Sequence, residues 1–415
     1  MRIRDFLKSG HPPTLLASFL YFDVSFMVWV LMGVLGIYIS RDFGLTPAQK
    51  GLMAAIPILG GALVRIPMGL LVDSIGAKKT GILGQILVLI PLAGVWLFGS
   101  DLNTLQAFGF LLGIAGGSFA VALPLASRWY PAEYQGMALG IAGAGNSGTV
   151  LASLFAPSLA EVVGWQNIFG LALIPVVLTL TFFIFFAKES PAHAPSKKIS
   201  DYLAVLKEAD TFWLCFFYSI TFGGFVGLAS FLGIFFYDQY GLNKVEAGHF
   251  AALCVFAGSF CRPIGGHLAD RSGGASVMVF LFAASGAAIF GASFLPPLSV
   301  AVSFIFLAMS ALGMGNGAVF QLVGSRFQKK MGIITGIVGA AGGLGGFALP
   351  FLLGQVKQIS GSYGTGFLSF SFAIFAAALF LIVFRGHWFH SEPAAGLSGL
   401  NVFGKSPVLE KMEKS

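Results

Sequence analysis

The fold of this chain is decided by the stretch Gly60-Gly61-Ala62-Leu63-Val64-Arg65-Ile66-Pro67-Met68-Gly69-Leu70-Leu71-Val72-Asp73. The run is apolar enough to enter a membrane, yet it contains Arg65. An arginine at the centre of a membrane helix costs about 2.5–3.5 kcal/mol on insertion scales, and such residues face an interior partner or a cavity. The stretch therefore predicts a membrane-spanning helix in which Arg65 is a candidate functional residue.

A second copy of this pattern follows about two hundred residues later, as Cys261-Arg262-Pro263-Ile264-Gly265-Gly266-His267-Leu268-Ala269-Asp270. In both copies the arginine precedes an aspartate by eight positions and a glycine by four. Further positions match at offsets of 196 to 198 residues: Gly76 with Gly273, Gly117 with Gly315, Ser127-Arg128 with Ser325-Arg326, and Gly140 to Gly143 with Gly336 to Gly339. The repetition predicts two parallel halves with a binding site at their interface, near the middle of the bilayer.

The composition supports a membrane protein made of helices. The 415 residues are 56% hydrophobic and only 10% charged, whereas soluble domains carry about a quarter charged residues. We count twelve apolar stretches of the length a membrane helix needs, and they lack the alternation of a membrane β-barrel. The predicted fold is an all-α polytopic membrane protein with 12 transmembrane helices in two pseudo-symmetric six-helix halves. The first stretch, near 14–39, is too long for a cleaved signal peptide and is expected to be retained as a helix.

Polar segments and basic residues predict the organisation and the orientation. We place an N-terminal half at 1–187, a cytoplasmic linker at 188–210, a C-terminal half at 211–390 and a cytoplasmic tail at 391–415. With both termini inside, eighteen Lys and Arg residues lie on the cytoplasmic side and four outside, as the positive-inside rule requires. The net charge of +7 thus reports topology in a cytoplasmic (inner) membrane, and no nucleic-acid partner is expected.

Two sets of motifs carry a family resemblance. The segment from Gly69 to Lys79 resembles the loop signature of the major facilitator superfamily between helices two and three, and Gly266 to Gly273 is its weaker second copy. The glycine-rich runs Gly140-Ile141-Ala142-Gly143-Ala144-Gly145-Asn146-Ser147-Gly148 and Gly336 to Phe347 resemble the nitrate signatures of the nitrate/nitrite porter family within that superfamily. The resemblance extends from Ser18 to about Arg385. It implies alternating access with nitrate as substrate, nitrite as the other candidate, and no cofactor.

The two buried arginines are the first candidates for substrate binding. A guanidinium is always charged and presents a planar fork of donors that matches a planar oxyanion. Each arginine lies eight residues before the end of its span, roughly 12 Å deep at 1.5 Å per residue. Arg65 and Arg262 are expected to hold a nitrate between the halves, and the family's substrate arginines fall on the same positions. The alternative is that each is tied to carbonyls or acids within its own half.

The resemblance adds further residues to the predicted site. It implies that Tyr218 and Phe222, one turn apart on the seventh helix, and Phe119 on the fourth line the nitrate. Asn146, inside the first glycine run, is a candidate hydrogen-bond donor. Glycines at three- and four-residue spacing also bare a helix face for close packing, so a packing role stands beside the binding role.

Asp23 is the only acidic residue well inside a predicted span, roughly 13 Å deep at 1.5 Å per residue. A buried carboxylate tends to protonate unless an opposite charge is close. We therefore predict that Asp23 pairs with Arg65 when the site is empty and takes up a proton when nitrate arrives. The alternative is a permanent structural partner for Asp23.

Charged residues at the helix ends are predicted to latch the cytoplasmic side, Asp73 with Lys78 and Asp270 with Arg271. The three cysteines, Cys215, Cys254 and Cys261, fall in apolar runs without metal spacing, so we expect buried structural cysteines. No metal site is predicted. No nucleophile–base motif or phosphate loop is recognisable, and the chain is not predicted to be an enzyme.

The function predicted from these observations is nitrate/proton symport by a monomer in the lipid bilayer, with nitrate and protons as its small-molecule partners. A nitrate/nitrite antiporter would use the same pair of arginines without a proton. A third possibility, of another class, is a sensor that binds the anion without moving it.

Overall fold

A computed structural model describes residues 3–190, 199–327 and 331–384. The predicted tail (391–415), the middle of the predicted linker and the last residues of the predicted second half lie outside the described residues. Within the described part, eleven helices are long and apolar enough to cross a membrane. This confirms the predicted all-helical membrane fold for eleven of the twelve spans.

We number the twelve expected spans α1 to α12 in chain order. Their bounds are α1 (Pro12–Trp29, Leu31–Val34 and Gly36–Asp42), α2 (Pro47–Ile75), α3 (Ala77–Phe98), α4 (Leu102–Leu112, 3₁₀ Gly113–Ser118 and Phe119–Ser127), α5 (Ala132–Gly143, 3₁₀ Ala144–Ser147 and Gly148–Val163), α6 (Trp165–Phe186), α7 (Ala209–Tyr240), α8 (Lys244–Ser272), α9 (Gly274–Ser293), α10 (Leu298–Arg326), α11 (Met331–Ser360) and α12 (Gly364–Val383). Two short helices, Ile3–Ser9 and Ile199–Leu206, precede α1 and α7.

The span outside the group of eleven is α1. Its helix breaks at Val30 and again at Leu35, and its longest segment has only 18 residues and carries Asp23. Near the first break, α1 approaches α7 so closely that a side chain at Gly33 would collide with the Ser230 backbone. The apolar stretch that the sequence predicts is present, but as three consecutive helical pieces.

The turns repeat between the halves. Among the described residues, the glycines with positive φ form three pairs, each 197 residues apart: Gly44 with Gly241, Gly76 with Gly273, and Gly164 with Gly361. Glycine tolerates this backbone conformation because it has no Cβ. Helices α2 and α8 also begin alike, each with a capping box, formed by Thr46 and Gln49 in α2 and by Asn243 and Glu246 in α8.

We call the end of the bundle at which α6 ends and α7 begins the linker side, and the opposite end the far side. On the linker side, the Glu189 carboxylate accepts hydrogen bonds from the backbone N–H groups of Ala77 (3.0 Å) and Lys78 (2.8 Å). It thereby caps the N-terminus of α3, where unpaired N–H groups favour an anion. The Lys188 N–H donates to Thr14 Oγ1 at 2.9 Å, so the end of α6 also holds the start of α1.

Among the described residues, the halves make their most extensive contacts between α2 and α11, between α5 and α8, and between α1 and α7. Their closest contacts lie towards the far side, where Gly51 of α2 packs on the backbone of α11 at Pro350 and Gly354. Two ion pairs join the halves at this end, Lys50 Nζ to Asp238 Oδ2 (2.8 Å) and Lys244 Nζ to Glu161 Oε1 (3.1 Å). In the part of the chain that the structure describes, no ion pair joins the halves on the linker side.

Candidate functional site

Arg65 lies in the middle of the bundle, with only 1% of its surface exposed. Its Nε donates to the Gly116 carbonyl of α4 at 3.1 Å, and its Nη1 donates to the Gly339 carbonyl of α11 in the other half. Its Nη2 has no hydrogen-bond partner among the described residues. The guanidinium is thus held by backbone carbonyls on two edges and keeps one donor group unused.

Arg262 occupies the equivalent place on α8 and is 9% exposed. Its Nη1 is buried and lacks a hydrogen-bond partner within the described ranges. It lies close enough to Arg65 and to the Tyr218 hydroxyl for electrostatic interaction with both. The two arginines therefore come together from opposite halves in the structure, as the sequence predicts.

Aromatic rings enclose the two guanidinium groups. The Phe119 ring is shared, with its centroid 5.4 Å from Arg65 Cζ and 5.7 Å from Arg262 Cζ. Phe222 lies 4.7 Å from Arg65 Cζ and stacks on Tyr218, with 5.1 Å between ring centroids. Cations are attracted to aromatic faces at these distances. The structure brings the predicted Phe119, Phe222 and Tyr218 to the arginines, and their contact with a substrate stays a prediction.

Each arginine faces a glycine of the other half. A Cβ at Gly339 of α11 would lie 3.6 Å from Arg65 Cδ, and a Cβ at Gly143 of α5 would lie 3.9 Å from Arg262 Nε. One turn along α11, a Cβ at Gly342 would come within 2.5 Å of the Tyr218 ring. The glycine-rich runs therefore supply close packing and also form walls of the space around the arginines.

Asn146 lies in the 3₁₀ segment that interrupts α5. Its side chain is fully buried, and neither amide atom has a hydrogen-bond partner among the described residues. Side chains three residues apart eclipse in a 3₁₀ turn, so Asn146 projects from about the same face as Gly143. Because that face is turned towards Arg262, the amide is in a position to join the same site.

Asp23 does not pair with Arg65, so the predicted empty-site pair is wrong for this conformation. Its carboxylate accepts a hydrogen bond from Ser147 Oγ at 2.6 Å, and the Gly148 N–H faces it as well. The donor Ser147 is the last residue of the 3₁₀ segment that interrupts α5, and this segment packs against α1. Asp23 is thus bound to the end of the first glycine signature.

The latch pairs also differ from the prediction. The Asp73 carboxylate accepts from Arg128 Nη2 at 3.0 Å, whereas Lys78 Nζ donates to the Ile184 carbonyl at 2.8 Å. Neighbours in a helix point in different directions, so Asp270 and Arg271 do not pair. In the second half, Arg326 Nη1 instead donates to Asp210 Oδ2 at 2.7 Å. Among the described residues, the Arg128–Asp73 and Arg326–Asp210 ion pairs each join two helices of the same half.

Four groups at the site were not expected from the sequence. Two are the backbone carbonyls of Gly116 and Gly339, which accept hydrogen bonds from Arg65. The third is Phe320, whose ring centroid lies 5.7 Å from that of Phe119 and 5.1 Å from that of Tyr218. The fourth is Trp29, whose ring centroid lies 5.4 Å from Arg65 Cζ. Backbone carbonyls are present in every residue, so the sequence cannot indicate which of them accept a hydrogen bond. The only signal for Trp29 is its place six residues after Asp23 on the same helix.

The chemical character of the site follows from these contacts. Two permanent positive charges lie close together in a buried, aromatic enclosure, and no acidic side chain within the described ranges forms an ion pair with either. Buried charges are stable only when they are paired. The arrangement favours a small anion that accepts hydrogen bonds from both guanidinium groups in one plane.

Comparison with known proteins supports the fold. The sequence profile of the Major Facilitator Superfamily matches residues 17–350. Among solved structures, the partially occluded, inward-open xylose transporter XylE of E. coli superimposes with a TM-score of 0.72 at 14% identity, covering 90% of this chain and 98% of that one. A bacterial homologue of the human lysosomal transporter Spinster, in an inward-facing and occupied conformation, gives 0.65 at 20% identity, covering 91% and 96%.

Curated relatives are similar over most of their length. The "nitrite extrusion protein" of Bacillus subtilis (strain 168) is 35% identical, covering 88% of this chain and 91% of the relative. The "probable nitrate transporter NarT" of Staphylococcus carnosus is 36% identical, covering 86% and 91%. The "probable nitrate/nitrite transporter NarK2" of Mycobacterium tuberculosis (strain H37Rv) is 34% identical, covering 83% and 89%.

Proposed function

Because this chain belongs to the nitrate/nitrite porter family of the major facilitator superfamily, we propose that it takes up nitrate by alternating access, with proton symport as the driving reaction. The observation that carries the proposal is the pair of unneutralised guanidinium groups contributed by opposite halves. A nitrate that bridges Arg65 and Arg262 neutralises part of that charge and joins the two halves.

The orientation that we propose has the linker side in the cytoplasm, with both termini there, in an inner membrane. Eighteen basic residues then lie inside and four outside, in agreement with the positive-inside rule. In this orientation the far side faces outwards and is closed by two ion pairs and by glycine contacts. The six-helix bodies that rock against each other are residues 1–187 and 211–390.

Asp23 is the group that we propose for proton coupling. It is bonded to Ser147, one residue from Asn146, so a change in its charge acts on the segment that carries a substrate ligand. Protonation removes the negative charge that accepts the hydrogen bond from Ser147. The same buried aspartate favours symport over exchange of nitrate for nitrite, because exchange of two anions needs no titratable group.

The test uses purified protein in liposomes with an inward nitrate gradient and a pH dye inside. Symport predicts acidification of the lumen that requires nitrate and is absent with Arg65→Lys. Asp23→Asn keeps an acceptor for Ser147, and we expect it to abolish the nitrate-driven acidification while nitrate binding remains. Uptake that requires nitrite inside and moves no protons would refute symport and establish exchange. Nitrate binding with no flux under either gradient would establish a sensor.

A further inference from the structure

Asn316 of α10 is a fully buried amide outside the set of predicted ligands. Its exposed fraction is 0%, and neither its Oδ1 nor its Nδ2 has a hydrogen-bond partner among the described residues. Buried polar groups in proteins are nearly always hydrogen-bonded, and each exception calls for an explanation. An amide in this position can serve a ligand that binds beside it.

The packing of α10 fixes the direction of the Asn316 side chain. Gly313 and Gly317 lie against α8, where they contact the backbones of Gly258 and Arg262. Leu312 packs on α7, and its Cδ1 would lie 3.1 Å from a Cβ placed at Gly224. Residues three and four apart share a helix face. Asn316, three residues after Gly313 and four after Leu312, therefore projects into the space between α7 and α8.

The neighbours along α10 place Asn316 at the depth of the arginines. Gly317 contacts the backbone of Arg262 itself. One turn further, Phe320 touches Tyr218 of α7 and Phe119 of the other half. The face of α10 that carries Asn316 is thus the face that meets the aromatic enclosure, and the amide lies at the level of Arg262, whose Nη1 is also without a partner in the described part of the chain.

We propose that Asn316 donates a hydrogen bond from Nδ2 to the bound oxyanion, as Asn146 of the first half does from a different helix of the repeat. Each half then supplies one guanidinium and one amide. The inference rests on the proposed function and deepens it, because it adds a donor that favours nitrate over nitrite. When the two guanidinium groups each bind one oxygen, nitrate has a third oxygen that can accept a hydrogen bond from an amide. Nitrite has only two oxygens.

The test compares Asn316→Ala with Gln85→Leu. Gln85 is a matched control, since both atoms of its buried amide also lack partners within the described residues, but it lies on α3, which packs on α2, α4 and α6 of its own half. We expect Asn316→Ala to raise the KM for nitrate about tenfold, as for a lost hydrogen bond to a charged group. The KM for nitrite should rise less, and Gln85→Leu should leave both unchanged. The melting temperature of Asn316→Ala should not fall, because no protein hydrogen bond is lost.

A second variant separates binding from folding. Asn316→Asp has nearly the same shape but places a carboxylate against the anion, so nitrate uptake should be lost while the protein remains folded. If both Asn316 variants keep the wild-type KM for nitrate, Asn316 binds only water or packs, and the inference is overturned while nitrate transport stands. If wild-type protein neither binds nor moves nitrate, the proposed function fails first.

Discussion

Arg65 of the first half donates a hydrogen bond from Nη1 to the backbone carbonyl of Gly339 in the second half. The same guanidinium is the one that the proposed function assigns to the anion. An oxyanion that accepts from the unused Nη2 binds the same planar guanidinium whose Nη1 holds the Gly339 carbonyl. Substrate binding and contact between the halves are therefore linked through one side chain.

This link predicts different consequences for the two arginines. Arg65→Lys removes bonds to Gly116 and Gly339 as well as a substrate donor, whereas no hydrogen bond among the described residues joins Arg262 to the first half. Both Lys variants should weaken nitrate binding at least ~10-fold, since hydrogen bonds to charged groups contribute about 1.5–3 kcal/mol. Only Arg65→Lys should also lower the melting temperature without nitrate. Calorimetric titration and thermal unfolding measure the two effects, and equal melting temperatures for the variants would contradict the asymmetry.

The glycine-rich helices give a matched pair of substitutions. A methyl group at Gly342 would lie 2.5 Å from Tyr218 Cδ1 and 3.0 Å from Phe222 Cδ1, whereas Gly140 has nothing within 4 Å. Overpacking of this kind costs about 1–3 kcal/mol. We expect Gly342→Ala to displace the aromatic pair and reduce nitrate affinity at least ~5-fold, and Gly140→Ala to bind as the wild type does. Binding titrations on both variants decide the matter, and the same loss in both would mean that the glycines matter for some other reason.

The ion pairs on the far side predict a shift in conformation. Lys50 bonds to both oxygens of Asp238, which also accepts from Tyr363 Oη at 2.9 Å, and Lys244 bonds to Glu161. Partly exposed pairs contribute up to about 1 kcal/mol each. The double variant Lys50→Gln/Lys244→Gln should therefore increase the population that is open on the far side by up to ~30-fold.

Distances between spin labels at Asn103→Cys and Ser299→Cys, in a background without the three native cysteines, would report that population. The charge swap Lys50→Asp/Asp238→Lys serves as the control and should restore the closed distance. An unchanged distance distribution in the double glutamine variant would show that contacts other than these ion pairs keep the far side closed.

Glu189 predicts a change in stability away from the substrate site. Its carboxylate caps α3 through two backbone N–H groups, and loss of a helix cap costs about 0.5–2 kcal/mol. Glu189→Ala should lower the melting temperature by a few degrees and leave the KM for nitrate unchanged. Glu189→Gln retains one acceptor oxygen, so its melting temperature should lie between those of the wild type and of Glu189→Ala. An altered KM in Glu189→Ala would instead connect this cap to transport.

Residue type and repetition predict the features that both halves share. Arg65 and Arg262 can be identified from the sequence because a charged residue in an apolar membrane span is costly and is usually functional. Gly76 and Gly273 stand out because they repeat at the same place after the buried pair, and both adopt the positive φ that glycine allows. The bundle, its two halves and the convergence of the arginines follow from such positions.

Partners that depend on the backbone could not be predicted in this way. Asp23 bonds to Ser147, the last residue of the 3₁₀ segment that interrupts α5, and no residue pattern marks such an interruption. The breaks of α1 at Val30 and Leu35 likewise occur at apolar residues with no proline. Asn316 is one polar residue in an apolar helix, and only its lack of a partner in the folded chain draws notice to it.

The glycine contacts on the far side determine how abruptly the molecule opens. At Gly51 and Gly354 the backbones of α2 and α11 touch with no side chain between them. Dispersion forces fall away within about 1 Å of added distance, so a small separation loses most of the attraction at once. A transporter closed in this manner should spend little time half open, and a ligand that wedges these helices apart by the width of one methyl group should trap it as effectively as a bulky inhibitor.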